Sequence, residues 1–375
     1  MNLNEIYAKI DKKLLAESAR MGDKIPYTPV EGVYPDMRDK NISFWTNGFW
    51  GGMLWQMYHS SHNEQYKEVA MRSELAFDET LRQFEGLHHD VGFQFLHTAV
   101  ADYRLTGNEE SRVRGLHAAT LLAGRFNPSG GYIRAWNVDK TGRWGKDLTG
   151  WMIVDCLMNI PLLYWAGEEL GDPRFADIAN RHADTALRVL VREDGSCNHI
   201  AVLDPATGEL LDAPGGQGYA PGSSWSRGQS WALYGFALAF LHTGKAEYLN
   251  AAKRIAHYFI ANVIATGYVS VSDFRAPAEP IYWDTTATAC AACGLLQIAE
   301  LVPEYEKTLY HDNAVKMLSA LEQLHCNWNP DEDGIVRNGT VLYGQHEDTH
   351  VPIIYGDYFF VEGILRLMGK SFLIW

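Results

Sequence analysis

Gln229-Ser-Trp-Ala-Leu-Tyr-Gly-Phe-Ala-Leu-Ala-Phe-Leu-His242 runs without a formal charge into Thr-Gly-Lys-Ala-Glu-Tyr248, and Ala251-Ala-Lys-Arg-Ile-Ala-His-Tyr-Phe-Ile-Ala-Asn-Val263 follows. The first stretch is apolar and rich in small residues, so it suits a helix packed closely on all sides. The third carries charges among its apolar positions, which suits an outer helix. The short polar turn between them makes the two a helical hairpin.

The same unit recurs in both directions. Residues 48–58 lead through Ser-Ser-His-Asn-Glu-Gln-Tyr66 into a helix running towards Leu81, and 92–105 lead through Thr-Gly-Asn-Glu-Glu into 112–125. Residues 155–170 lead through Gly-Asp-Pro-Arg-Phe175 into 178–191, and 285–301 lead through Val-Pro-Glu-Tyr305 into 310–324. Residues 356–368 close the series, with the helix marked by Ile6, Ile10 and Leu14 as the partner. The spacing is looser than that of solenoid arrays. Strand-like alternation is brief, at 199–203 and 267–271, and no βαβ alternation exists, which excludes Rossmann and TIM folds. The pattern predicts an all-α (α/α)6 barrel, six hairpins in a closed toroid, as a single domain over residues 1–375.

The net charge is −14 and no Lys/Arg cluster stands out, which argues against a nucleic-acid partner. Hydrophobic residues at 47% and charged residues at 21% describe a globular chain. The longest near-apolar runs, such as 231–241, are too short to span a bilayer, so no membrane partner is expected. The first residues lack a basic stretch followed by an apolar one, and five cysteines make no disulfide framework. A cytoplasmic protein is the expectation.

Function is expected in the long segments between hairpins, 41–45, 88–90, 132–151, 214–231 and 343–356, which gather at one end of such a toroid. Asp155 interrupts the apolar run Trp151-Met-Ile-Val-Asp-Cys-Leu-Met158. Desolvating a carboxylate there is costly, and burial raises its pKa, so a catalytic role is favoured over a helix-start charge. Asp90, between His88-His89 and Val91-Gly92-Phe93, reads equally well as an N-cap or as a second catalytic carboxylate. The stretch from Gly215 to Trp231 combines glycines with Trp225, Arg227 and Trp231, a stacking face and a fixed charge suited to a sugar or a carboxylate. His346-Glu-Asp-Thr-His350 fits the zinc-protease pattern, but Gly344 and Pro352 flank it and disfavour the helix that such a site needs. Cys290 and Cys293 read as packing residues, while Asp284 and Asp357 read as helix caps that could also line the cleft.

Together these blocks resemble glycoside hydrolase family 88, the unsaturated glucuronyl hydrolases, over nearly the whole chain. The carriers are Phe44-Trp-Thr-Asn-Gly-Phe-Trp50, His88-His-Asp-Val-Gly-Phe93, Ala135-Trp136, Asp155-Cys-Leu-Met-Asn-Ile-Pro-Leu-Leu163, Gly222-Ser-Ser-Trp-Ser-Arg-Gly-Gln-Ser-Trp231 and Gly356-Asp-Tyr-Phe-Phe. The resemblance implies that Asp155 is the acid/base and Asp90 the second essential carboxylate. It implies that Trp45, His89, Trp136, His199, Gln217, Trp225, Arg227 and Trp231 surround the unsaturated uronate, with Arg227 and the histidines offsetting its carboxylate. The implied substrates are unsaturated uronic-acid di- or oligosaccharides left by polysaccharide lyases, and no metal or other cofactor is required. The loop Tyr343-Gly-Gln-His-Glu-Asp348 is acidic and is expected to disfavour sulfated units. Alternative readings are the related family 105, acting on unsaturated rhamnogalacturonan disaccharides, a non-catalytic carbohydrate-binding toroid, and a zinc peptidase at His346.

Overall fold

A computed structural model describes residues 1–138 and 147–375. The segment 132–151 singled out above therefore lies partly outside the described residues. The expected hairpins are present. Helix α1 (Leu3–Met21) precedes α2 (Gly48–Ser61) and α3 (Glu64–Leu75). Then come α4 (Val91–Phe95), a π-helical turn (Leu96–Val100), α5 (Ala101–Thr106) and α6 (Glu109–Ala123). A 3-10 turn (Val154–Met158) leads into α7 (Pro161–Leu170) and α8 (Pro173–Val189). Further along come α9 (Ser226–Thr243), α10 (Ala246–Ile264), α11 (Thr285–Leu301), α12 (Glu304–Leu324) and α13 (Ile354–Leu367), with short helices also at Met37–Asn41 and at Phe77–Gln83, where the helix expected to run towards Leu81 restarts after Leu75.

Most of the hairpin turns are built alike, the Val302-Pro303 turn being extended instead. His62, Gly107, Gly171 and Gly244 sit in the left-handed conformation that ends a helix. Asn63, Asn108 and Asp172 then cap the next one by accepting the backbone N–H of its second residue. Burial sorts the helices into two kinds. Helix α9 is buried from Ser226 to Ala239, whereas α8 buries only a stripe that includes Phe175, Ala179, His182, Ala183, Ala186 and Val189. Helix α11 packs on both α9 and α13, and α13 packs on α2 and α1. Helix α2 also packs on the π turn, and α9 on the 3-10 turn. Glycines permit these close contacts: a Cβ on Gly294 would overlap Leu233 and Tyr234 of α9.

Two expectations are corrected locally. Residues 155–170 are not one helix, because Pro161 cannot donate a backbone N–H and α7 restarts there after the 3-10 turn. Residues 267–271 form no strand. Tyr268 sits at φ 70°, and the Ser270 N–H is taken by the Thr288 hydroxyl rather than by a neighbouring strand. After the short antiparallel pair β1 (Phe126–Asn127) and β2 (Tyr132–Ile133), a three-stranded antiparallel sheet joins β3 (Trp151–Ile153), β4 (Ile200–Leu203) and β5 (Leu210–Asp212), so the 199–203 expectation holds as β4. The β3–β4 register pairs Ile153 with Ile200, and the Val154 N–H then bonds the His199 carbonyl. That pairing sets Asp155 beside His199.

Candidate active site

Asp155 emerges where β3 gives way to the 3-10 turn, its side chain mostly buried and its Oδ1 without a hydrogen-bond partner. Burial pushes its carboxyl up to about 7, against a smaller downward pull from the Arg227 charge. His199 Nδ1 accepts the Gln217 backbone N–H at 2.9 Å. A neutral ring then carries its proton on Nε2, which faces Asp155 Oδ1 across 3.9 Å. Burial, aided by Arg227, holds His199 down at about 3, so the ring is neutral at ordinary pH.

Asp90 sits at the start of α4 but makes no side-chain cap bond. Its Oδ1 accepts from Asn159 Nδ2 at 3.1 Å, and His88 Nδ1 and His89 Nε2 each stand 3.4 Å from Oδ2. Burial, then the Asp155 charge, pushes the Asp90 carboxyl well up. Both carboxyls are thus displaced towards the protonated form. His88, His89 and Asp90 lie within 4.8 Å of one another, the one His/Asp group among the described residues compact enough to share an ion. His89 is fully buried with both ring nitrogens unpartnered.

Aromatic rings wall this centre. Trp45 lies 5.4 Å from Phe93 and 6.5 Å from Trp231, and Trp225 lies 4.2 Å from His199, measured between ring centroids. Trp231 is wholly buried between Phe93 and Phe359, so its place is in the wall behind Trp45. Trp136 packs beside Trp151 in a small separate cluster with Ala135, Ile153 and Ile200. The Gln217 side-chain amide donates to the Val341 carbonyl, and the Gln217 backbone carbonyl accepts the Tyr343 N–H. Arg227 is buried on Trp225, pairs with Asp284, and donates to the carbonyls of Thr340 (2.8 Å) and Val341 (2.6 Å). Its Nε alone has no partner.

With this geometry in view, the sequence matches the family model described as Glycosyl Hydrolase Family 88 over residues 18–275. The chain belongs to glycosyl hydrolase family 88. It is 39% identical over 355 residues to the unsaturated glucuronyl hydrolase of Bacillus sp. (strain GL1), covering 93% of this chain and 92% of that one. It is 34% identical over 356 residues to the unsaturated chondroitin disaccharide hydrolase of Streptococcus pneumoniae, covering 92% and 86%. The solved structure of the Bacillus sp. GL1 enzyme, described as responsible for the degradation of glycosaminoglycan, superposes with a TM-score of 0.89 at 36% identity over 96% of each chain.

In this family 88 chain the zinc-protease pattern is not helical. Thr349–Val351 is strand β7, paired with β6 (Gly339–Thr340), and Asp348 and His350 both have positive φ. Cys290 and Cys293 are buried free thiols in α11. Asp284 caps α11 and also holds Arg227, while Asp357 binds backbone N–H groups of Ile335 and Val336. Asn159 has a part that its sequence did not announce; the signal was a lone amide inside an apolar run just before Ile-Pro.

Proposed function

We propose that this chain is an unsaturated glucuronyl hydrolase that removes the 4,5-unsaturated uronate from lyase-generated glycosaminoglycan-type oligosaccharides. The carrying observation is Asp155, a carboxyl with a buried oxygen free of hydrogen bonds, raised to about 7 near a second raised carboxyl, with Trp225 packed on its neighbour His199. The relatives' names point to the same substrate class.

The substrate contains an enol ether. Protonated Asp155 gives its proton to C4, and the ring-oxygen lone pair leaves positive charge shared between C5 and that oxygen. Water attacks C5 and loses a proton to the Asp155 carboxylate, which restores the acid. The C5 hemiketal then opens to a ketone, and the hemiacetal at C1 collapses and releases the aglycone. Asp90 tunes Asp155 and holds the sugar. His89, His199, Gln217 and Arg227 bind the uronate, and Trp45, Trp136, Trp225 and Trp231 shape its pocket. No step needs a metal or other cofactor. The ordinary test of retention or inversion by carboxylate separation does not apply, because bond-making starts at the alkene.

The proposal includes closure of the six hairpins into one (α/α)6 toroid as a single domain. The run of packed pairs α9–α11–α13–α2–π turn, with the 3-10 turn returning to α9, supports it. It also includes a cytoplasmic site of action, supported by five free thiols. No helix among the described residues is long and apolar enough to cross a membrane. Acidic Glu347 and Asp348 in the 343–348 loop favour unsulfated over sulfated units.

The test follows the ultraviolet absorbance of the conjugated alkene in an unsaturated, unsulfated chondroitin or hyaluronan disaccharide. Wild type removes it and Asp155→Asn does not, while the saturated disaccharide is left intact. Cleavage of the saturated sugar, or no loss of absorbance from any unsaturated uronate, overturns the proposal.

A further inference from the structure

Asp90 begins α4, where an aspartate ordinarily turns back to accept the second or third N–H of its own helix. It makes no such bond. The N–H of Phe93, the third residue of the helix, instead donates to Asn159 Oδ1 at 2.7 Å. The other end of the same amide donates to Asp90 Oδ1 at 3.1 Å and to the Asp155 carbonyl at 3.0 Å. This orientation is fixed by chemistry: Phe93 offers only a donor, and the carboxylate and the carbonyl offer acceptors. Asn159 is fully buried. The contact also requires Gly92, because a Cβ there would stand 2.5 Å from Asn159 Cα and 2.8 Å from its Oδ1.

We infer that Asn159 is a positioning residue of the active site, capping the α4 helix in place of Asp90 so that the Asp90 carboxyl faces the substrate. The amide also ties the turn that carries Asp155 to the helix that carries Asp90, so one side chain sets the relation between the two acids. A hydrogen bond from a neutral amide leaves Asp90 near Asp155, whereas two backbone N–H groups would draw it into the helix and hold it ionised. This inference rests on the hydrolase reading for its kinetic consequence, though not for its geometry.

The test compares Asn159→Ala and the near-isosteric Asn159→Asp with wild type, each also in the Asp90→Asn background. In Asn159→Ala, Asp90 is expected to rotate onto the Gly92 and Phe93 N–H groups. The expected kcat is down by about 10²-fold, in the range of a misplaced catalytic group, with KM changed less. In the Asp90→Asn background the same substitution costs less than about threefold, because the two act as a unit. Asn159→Asp keeps the acceptor for Phe93 but sets a third buried carboxyl against Asp90 and the Asp155 carbonyl, so its melting temperature and kcat both fall and, as a merely structural loss would not do, the pH profile moves. A crystal structure of Asn159→Ala with Asp90 unmoved, or equal losses in both backgrounds, overturns the inference. If wild type itself fails to consume the alkene, the hydrolase reading fails, while the Asp90 rotamer still decides the capping claim.

Discussion

Two of the places where the chain buries acids, around Asp357 and around Asp155, are built differently. At the junction of α1, α13 and the loop before β6, every oxygen of Asp357 is used. Oδ1 accepts the Val336 N–H at 2.7 Å, and Oδ2 accepts the Ile335 N–H at 2.9 Å and the Tyr34 hydroxyl at 3.2 Å. Beside it Glu17 Oε1 accepts the Gly334 N–H and its Oε2 has no hydrogen-bond partner, while Lys13 closes on Oε1 at 3.5 Å and donates to two backbone carbonyls. In the candidate active site, by contrast, Asp155 Oδ1, both ring nitrogens of His89, and His199 Nε2 make no hydrogen bond and meet only one another or Asp90 at 3.4 Å or more. A satisfied buried acid holds backbone in place; an unsatisfied set of this density leaves its bonds to a ligand. The difference separates fold from function within one chain.

The largest expected effect tests that separation directly. Asp155→Asn lowers kcat by about 10³-fold or more, the scale of a lost general acid, and leaves the melting temperature nearly unchanged. Steady-state alkene consumption and a thermal melt on the same sample check both halves. Asp357→Ala does the reverse: two backbone N–H groups and a tyrosine hydroxyl lose their acceptor, costing about 3 kcal/mol or more of stability. Activity measured well below its melting temperature stays within a fewfold of wild type. Chemical denaturation supplies the first number, and a failure to separate stability from activity would break the comparison.

How far this was legible in the sequence depends on the range of each interaction. The hairpins were visible because each turn is local: Gly107 with Asn108 and Gly171 with Asp172 end one helix and start the next within two residues. Asp155 was visible because a carboxylate is out of place in an apolar run. The break between Asp155 and Pro161 was not, since the apolar pattern continues through it. Asp90 was left between cap and catalyst because the decision lies with Asn159, which reaches Phe93 from 66 residues away. The partnership of Arg227 with Asp284 spans 57 residues and was equally out of sight.

The smaller effects concern pH. Asp155, raised to about 7, must be protonated to act, so kcat falls as pH rises through about 7. A rate–pH profile for alkene loss checks this. Stability responds to every buried acid raised in this way, Asp155 included, and Glu17 is one that lies outside the candidate site. Burial raises Glu17 from 4.5 to about 8, so the folded state keeps a proton there that the unfolded chain releases. Its contribution to stability is complete below about pH 4.5 and is lost as pH rises to about 8. Glu17→Gln, which preserves an acceptor for Gly334, removes its share of that decline, and denaturation at about pH 4 and about pH 8.5, on either side of the window, measures it. The same substitution leaves the rate profile where it was.

The most direct measurement is a single-turnover reaction of an unsaturated disaccharide, followed by alkene absorbance, with wild type, Asp155→Asn and Asp357→Ala at a temperature where all three are folded. The account predicts full decay with wild type and Asp357→Ala and none with Asp155→Asn. Decay with Asp155→Asn at a rate near that of wild type would contradict it.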